Sequence, residues 1–186
     1  MAFIYNTTTQ SGIDINNVFY LDAKGAPEYP APPFLAGELA WGTDGSEWVY
    51  ATASITITSG SAVIFSPTAG SWSVALLTST NGRTSFGDLI GIVGGATGSV
   101  NVSQPTGTQT ASYFWVQRAG IAQRVLTANS LAANVSLGTS AVGGLLGTII
   151  GGTSALVSGI VFSTANTASG SAVQAVLNYP TSGGPS

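Results

Sequence analysis

The sequence predicts an all-β protein, an antiparallel sandwich or barrel of short strands with an extended, Pro-rich N-terminal arm. Three observations lead to this fold class. From residue 41 onward, apolar or alternating runs about four to eight residues long recur, which is the usual length of a strand. Residues that favour turns, mainly Gly, Pro, Asn, Ser and Thr, separate these runs. Capped helical periodicity is scarce, and 127–137 is the one candidate helix.

Residues 1–40 form the predicted arm, and residues 41–186 form the predicted β domain. Four prolines fall within 27–33, and because proline fixes φ and biases its predecessor toward extended geometry, we expect 26–34 to be stiff extended chain. The arm either wraps its own domain or reaches a neighbouring subunit. Its aromatic side chains need burial in one of these places, and they are the candidate subunit contacts: Phe3, Tyr5, Phe19, Tyr20, Tyr29 and Phe34.

The strand candidates follow one another through the β domain. They are 47–53, 54–58, 62–65, 72–77, 86–93, 112–117, 121–126, 159–162 and 172–177. Asn81-Gly82 is the sharpest turn signal, since both residues tolerate the positive φ that a tight hairpin requires. A second turn is expected at Ala119-Gly120, between two of the strands.

The strand 112–117 is apolar on both faces. Tyr113 and Trp115 share one face, whereas Phe114 and Val116 share the other. A strand of this kind is predicted to be central in the fold or to lie at a subunit contact.

The composition excludes most catalytic and metal-binding chemistry. Only 6% of the 186 residues are charged, and the chain has neither His nor Cys. Triads with a His base, thiol nucleophiles, His/Cys zinc sites and disulfides are therefore excluded. Four basic residues and a net charge of −3 cannot supply the phosphate contacts on which nucleic-acid binding depends. We expect no cofactor, no metal and no nucleic-acid partner.

Charge is segregated along the chain. All seven Asp and Glu residues lie within 1–88, and no Asp, Glu, Lys or Arg follows Arg124. A surface so poor in charge is unusual for a protein that must stay soluble alone, and we expect a partner to cover much of it. The N-terminal sequence lacks the pattern of a secretory signal, so we expect synthesis in a cytoplasm.

The uncharged stretch 137–162 allows two interpretations. Two overlapping GxxxG spacings within Gly143–Gly151 and the absence of charge are typical of a membrane-spanning helix. The stretch is, however, rich in Gly, Ser and Thr and lacks basic flanks and an aromatic belt. We therefore favour β-core or a subunit contact, and expect no membrane partner.

Two motifs are candidates for a binding or catalytic site. The Gly-rich segment 91–98 fits neither the dinucleotide-binding nor the P-loop spacing, so a flexible turn is expected there. Asp44 and Glu47 are the one close carboxylate pair, and a turn with a solvated Glu is the favoured interpretation. A hard cation such as calcium, or acid/base work on glycosides, are the alternatives. We predict that the protein is not an enzyme.

The four tryptophans, Trp41, Trp48, Trp72 and Trp115, offer another pair of interpretations. With nearby Tyr and Phe they are suited to a stacking platform for sugars or bases. Aromatic residues in short strands are more often core, because each buries a large apolar area.

One part of the chain resembles a known family. Tyr113-Phe114-Trp115-Val116-Gln117-Arg118-Ala119-Gly120-Ile121-Ala122 is followed by Arg124-Val125-Leu126, then by Gly159-Ile160-Val161-Phe162 and Ala172-Val173-Gln174-Ala175-Val176-Leu177-Asn178-Tyr179-Pro180. Over 111–180 this pattern resembles the small β-rich decoration or cement proteins of tailed bacteriophage heads. The resemblance implies a non-enzymatic protein, often a trimer at three-fold positions, that clamps neighbouring major capsid subunits. It carries no functional residues over.

The first expectation is therefore a virion structural protein on the outer surface of an icosahedral phage head, made in the bacterial host cytoplasm. Its expected partners are the major capsid protein and further copies of itself, with a trimer favoured. The alternative is a carbohydrate-binding module of a phage fibre or surface protein that uses Trp41, Trp48 or Trp72. A third hypothesis is a membrane-active protein that uses Gly143–Gly151.

Overall fold

A computed structural model describes residues 4–6, 9–22, 31–66, 72–84, 87–94, 102–103, 105–106, 109–166 and 168–185. Strands make up 53% and helix 4% of these residues, which confirms the all-β class. The sequence left a sandwich and a barrel open. The core is a closed β-barrel with further strands around it. Residues 23–30, which hold the first two of the four clustered prolines and the predicted contact Tyr29, lie outside the described part, as does Phe3.

The strands are numbered in chain order. They are β1 (Ile4–Asn6), β2 (Thr9–Gly12), β3 (Phe19–Asp22), β4 (Leu39–Gly42), β5 (Glu47–Ala53), β6 (Ala62–Ser66), β7 (Ser73–Leu76), β8 (Ile90–Val93), β9 (Gln109–Leu126), β10 (Leu137–Thr139), β11 (Leu146–Thr148), β12 (Ala155–Phe162) and β13 (Ala172–Pro185). A short helix, α1 (Ser79–Thr84), lies between β7 and β8.

Five strands close the barrel. Going around it, β9 pairs with β8, β8 with β6, β6 with β7, β7 with β5, and β5 again with β9. The β5–β7 pair is parallel, and the other four are antiparallel. Because side chains alternate across a strand, every second residue points inward and fills the interior. These buried residues are Val49, Ala51, Ala53, Val63, Phe65, Val74, Val93, Phe114 and Val116.

A C-terminal layer, consisting of β10–β13 with the second half of β9, covers one side of the barrel. Its strands lie in the order β11-β10-β12-β13-β9. Its inward side chains, among them Val157, Phe162 and Leu177, pack against Ile64 and Ile92 on the outer faces of β6 and β8. This cluster is a second hydrophobic core of mainly aliphatic residues.

An N-terminal layer, the described residues of 4–42, covers another side. β3 pairs with the start of β9, β4 pairs with β5, and β1 pairs with β4. Ile15, Ala40 and Phe34 pack with the rings of Trp48, Tyr50 and Trp115 on the outer face of β5 and β9. The boundary proposed between residues 40 and 41 falls inside β4.

Strand β9 is central, as the apolar faces of 112–117 predicted. Phe114 and Val116 point into the barrel, while Tyr113 and Trp115 point into the N-terminal layer. The turn predicted at Ala119-Gly120 is wrong, because β9 runs unbroken over 18 residues. The strand continues because β13 pairs with it on both sides of Gly120.

The hairpin predicted at Asn81-Gly82 is also wrong, since both residues lie in α1. Thr78 and Asn81 cap this helix reciprocally: the Thr78 N–H donates to Asn81 Oδ1 at 2.7 Å, and the Asn81 N–H donates to Thr78 Oγ1 at 3.2 Å. Gly82 is buried, and a Cβ there would lie 2.8 Å from Thr139 Cγ2. Capping and close packing therefore override the turn preference of the dipeptide.

The described residues contain neither the candidate helix 127–137 nor a helix within 137–162. The stretch 127–136 is irregular, and Leu131 forms an isolated bridge with Asn166 in place of a helical turn. The stretch 137–162 contains β10, β11 and β12, in agreement with the β-core interpretation. None of the described helices has the length and apolar character that a membrane span requires.

Candidate functional site

The outer face of the C-terminal layer carries a line of exposed apolar side chains across three neighbouring strands. In the antiparallel register, Ile121 of β9 lies opposite Val176 of β13, and Val176 lies opposite Val161 of β12. Their side chains are 51%, 47% and 48% exposed, respectively. We call these three residues the outer row. Because all three are β-branched, they form a stiff ridge on the pleated surface.

A polar but uncharged strip lies next to the outer row on the same strands. Gln174 Nε2 donates to Gln123 Oε1 at 2.8 Å, and Ser163 Oγ donates to the Gln174 carbonyl at 3.1 Å. Each of these side chains lies two residues from a member of the outer row, and together they connect β9, β13 and the residue directly after β12. The combined face therefore presents apolar and amide groups without a formal charge.

Two of the three strands, β9 and β12, contain a glycine that allows them to bend at the end of this face. Gly120 of β9 has a φ of 90°, and a Cβ there would lie 2.8 Å from Ser46 Cα. Gly159 of β12 has a φ of 78°, and a Cβ would lie 2.5 Å from the Asn178 carbonyl oxygen. Side chains other than hydrogen are excluded at both positions. Buried Gln117 supports the bend in β9, because its Nε2 donates to the carbonyls of Ala119 and Ile121.

A small polar cluster joins the C-terminal layer to the barrel near this bend. Tyr179 of β13 donates its hydroxyl hydrogen to Glu47 Oε2 of β5 at 2.9 Å. The Arg118 guanidinium carbon lies 5.5 Å from the centre of the Tyr179 ring. The hydrogen bond to Glu47 and the negative charge of that carboxylate raise the pKa of Tyr179. A buried acid, a phenol and a guanidinium thus meet where the C-terminal layer joins the barrel.

The segment Asp44-Gly45-Ser46 is a turn between β4 and β5, which confirms the favoured interpretation. Asp44 Oδ1 accepts from the backbone N–H of Ser46 at 3.0 Å and from its hydroxyl at 2.7 Å, and these hydrogen bonds lower the pKa of Asp44. The expectation of a solvated Glu47 is wrong: its side chain is 7% exposed and accepts from Tyr179. Among the described residues, no group of three acidic side chains is placed to hold a metal ion.

The candidate contact residues of the arm are found in different surroundings. Phe19 and Tyr20 are half-buried in β3, where the Phe19 ring lies edge-on to Tyr113 and the Tyr20 hydroxyl accepts from Ser103 N–H. Phe34 is half-buried and packs edge-on against Tyr50 and Trp115, at centroid distances of 5.4 and 5.1 Å. Tyr5 lies in β1, where its backbone pairs with Trp41. Phe3 and Tyr29 are outside the described residues.

An indentation lies in the N-terminal layer, and we call it the aromatic notch. Its volume is about 130 Å³. It is lined by Asp14, Asn17, Phe19, Pro33, Phe34, Tyr50 and Trp115. Two of the predicted contact residues, Phe19 and Phe34, are thereby brought together with an exposed carboxylate and an exposed amide. Burial raises the pKa of Tyr50, so its phenol stays neutral at physiological pH.

The tryptophans do not form one platform. Trp48 is fully buried, and its Nε1–H donates to Ser46 Oγ. Trp115 is also buried, whereas half-buried Trp72 packs edge-on against Phe65 on the barrel-core side. Trp41 is 39% exposed and lies on the face of β4 opposite to Ala40. The core interpretation therefore holds for Trp48 and Trp115.

A larger cleft of about 320 Å³ lies beside α1 and the β10–β11 hairpin. Hydroxyl groups line much of it, including those of Thr139, Ser140 and Ser154. These oxygens accept from the backbone N–H groups of Ala155, Val142 and Ile150. The polar lining of this cleft thus serves local turns.

Sequence reasoning missed the outer row and the Glu47–Tyr179 contact. The signal for the outer row was present, since Val161 and Val176 occupy the outward positions of strands whose inward positions are also apolar. The contact between Glu47 and Tyr179 joins residues 132 positions apart, and no local pattern indicates it. No protein-family model and no curated protein matches the chain.

Proposed function

We propose that this chain is a virion structural protein that binds the outside of an icosahedral bacteriophage head as a decoration or cement protein. There it stabilises contacts between major capsid subunits and works as a homo-oligomer, with a trimer favoured. In this role the protein is not an enzyme and needs no cofactor. The observation that carries the proposal is the outer row on an uncharged sheet face.

The outer row supports an assembly role because exposed apolar side chains that adjoin one another commonly mark protein contacts. Isolated exposed apolar residues are ordinary on monomers, but contiguous patches of a few hundred Å² are often functional. Here three half-exposed β-branched residues adjoin each other across three strands. Amide groups beside them offer both donors and acceptors to a partner backbone.

The charge distribution supports the same role. Residues 125–186 contain no Asp, Glu, Lys or Arg, so the face beside the outer row can be desolvated against another protein without burying a charge from β12 or β13. The resemblance of 111–180 to phage decoration proteins covers the strands that present this face. The charge distribution and the resemblance thus support the proposal independently of each other.

The test is co-sedimentation with phage heads prepared without the protein, using Val176→Lys as the variant. Lysine in the middle of the outer row would have to be desolvated in the contact, so we expect at least a ten-fold loss of head binding. Val142→Lys is the matched control, because Val142 is 59% exposed outside the outer row. Equal binding by both variants and the unmodified chain would contradict the proposal.

A carbohydrate-binding module of a phage fibre or surface protein is the second candidate, and the exposure of the Trp41 side chain is what favours it. Glycan binding that is lost in Trp41→Ala would support this role. Trp48 is unsuited to it because its ring is fully buried.

A further inference from the structure

We propose that the aromatic notch binds one guanidinium group, supplied by an arginine side chain of a partner protein. The inference rests on the proposed function in taking the partner to be a protein of the phage head. The notch is distinct from the outer row, since it belongs to the N-terminal layer and the row to the C-terminal layer.

The size of the notch limits its occupant. Pockets for whole drug-sized ligands usually measure roughly 300–1,000 Å³. At about 130 Å³, the notch accommodates a single side-chain head group and part of its stem. A side chain that projects from a partner surface matches this volume better than a complete small ligand does.

The lining of the notch selects a cation. The accessible aromatic surface comes from half-buried Phe19 and Phe34, since Tyr50 and Trp115 are only 2% and 1% exposed. Aromatic faces attract positive charge. Asp14 supplies a carboxylate at the rim, and no lysine or arginine among the described residues lines the notch. An anion would meet the Asp14 charge without a counter-charge, and an apolar side chain would make no hydrogen bond to that carboxylate or to the Asn17 amide.

The rim groups favour guanidinium over ammonium. Asp14 uses Oδ1 to accept from Asn16 N–H at 2.9 Å, which fixes the carboxylate in a turn. A planar guanidinium has five donors in a fixed plane, so it can bond to this carboxylate and to the Asn17 carbonyl oxygen while it stacks on a ring. Guanidinium is also more weakly hydrated than ammonium, and its transfer into an aromatic-walled site costs less.

The experiment is an NMR titration of the full chain with ethylguanidinium, followed through the backbone amides of Asp14 and Asn17 and the indole N–H of Trp115. We expect saturable shifts with a Kd on the order of 1–10 mM, the range for one charge-assisted contact with stacking. Ethylurea has nearly the same shape without the charge, and we expect it to bind at least five-fold more weakly. Raising the salt from 0.05 to 0.5 M should weaken ethylguanidinium binding.

Asp14→Asn and Asp44→Asn form a matched pair for this titration. In both, the aspartate side chain caps the backbone N–H two residues ahead, and asparagine can keep that hydrogen bond. We expect Asp14→Asn to weaken ethylguanidinium binding at least five-fold, and Asp44→Asn to leave it unchanged.

Three results would overturn the notch proposal: no saturable shift, equal binding of ethylurea, or an equal effect of the two variants. The titration contains no heads, so such a failure leaves the test of the proposed function with Val176→Lys unaffected.

Discussion

The two layers that flank the barrel do the same structural work with different side chains. The N-terminal layer covers the aromatic outer face of β5 and β9, and it carries acidic residues such as Asp14 and Glu38. The C-terminal layer covers β6 and β8 with mainly aliphatic side chains, and it has no Asp, Glu, Lys or Arg after Arg124. Each layer encloses its own hydrophobic core against the shared barrel.

This difference limits how much of the uncharged C-terminal half requires a partner to explain it. Much of the apolar character of the C-terminal half is accounted for inside the molecule, because Val157, Phe162 and Leu177 face the barrel. What burial leaves unexplained is the outward side, where the outer row faces solvent. In the C-terminal layer, only the outer face of three strands therefore calls for a partner.

The largest expected effect comes from removing a buried ring from the C-terminal layer. Phe162 is almost fully buried in its core, so Phe162→Ala should lower the free energy of unfolding by about 3–5 kcal/mol through lost burial and a cavity. Urea denaturation measures this change. Phe162→Leu keeps most of the volume and should cost about 1.5 kcal/mol or less. A loss below about 1 kcal/mol for the alanine variant would mean that this layer contributes little to the fold.

A smaller effect is expected in the N-terminal layer. Phe34 is half-buried and packs edge-on against two rings, so Phe34→Ala should cost about 1–2 kcal/mol. The same urea titration gives the value, and near-ultraviolet circular dichroism reports the environment of Trp115. A cost as large as that of Phe162→Ala would remove the distinction between the layers.

The smallest expected effect concerns the hydrogen bond between Tyr179 of the C-terminal layer and Glu47 of the barrel strand β5. Tyr179→Phe removes the hydrogen bond to Glu47 and should cost about 0.5 kcal/mol, because the Tyr179 side chain is half exposed. The folded-state pKa of Tyr179 is raised above its unfolded value near 10, so this stabilisation is present below about pH 10. It should be lost as the pH rises through the raised folded-state pKa.

The measurement is urea denaturation of both proteins at pH 7, 9 and 11. The advantage of the unmodified chain over Tyr179→Phe should be the same at pH 7 and 9 and smaller at pH 11. An advantage that already disappears between pH 7 and 9 would contradict the assignment of this contact.

Much of the barrel could be predicted from the sequence because its strands are short, mainly apolar runs bounded by residues that favour turns. The strand 47–53 matches β5, and 62–65 falls within β6. The two wrong turn predictions were at glycines, whose local preference is compatible with several structures, and the strand predicted at 54–58 is only an isolated bridge at Ile57. Gly82 lies in a capped helix and Gly120 in a bent strand, and in both cases contacts with residues distant in sequence decide the conformation.

The candidate site could be predicted only in part. The apolar residues of the outer row were visible in the sequence. Their alignment depends on the register between β9, β13 and β12, and bulges shift this register. The aromatic notch combines residues from β3, β5, β9 and the 31–38 segment, which no sequence spacing connects. The tertiary pairing of strands creates both surfaces.

The most direct test of the proposed role is a cryo-electron microscopy reconstruction of the phage head that carries this protein. We expect density for the barrel on the outer surface of the head, with Ile121, Val176 and Val161 in contact with another protein chain. A head without this density, or a decorated head in which the outer row faces solvent, would contradict the account.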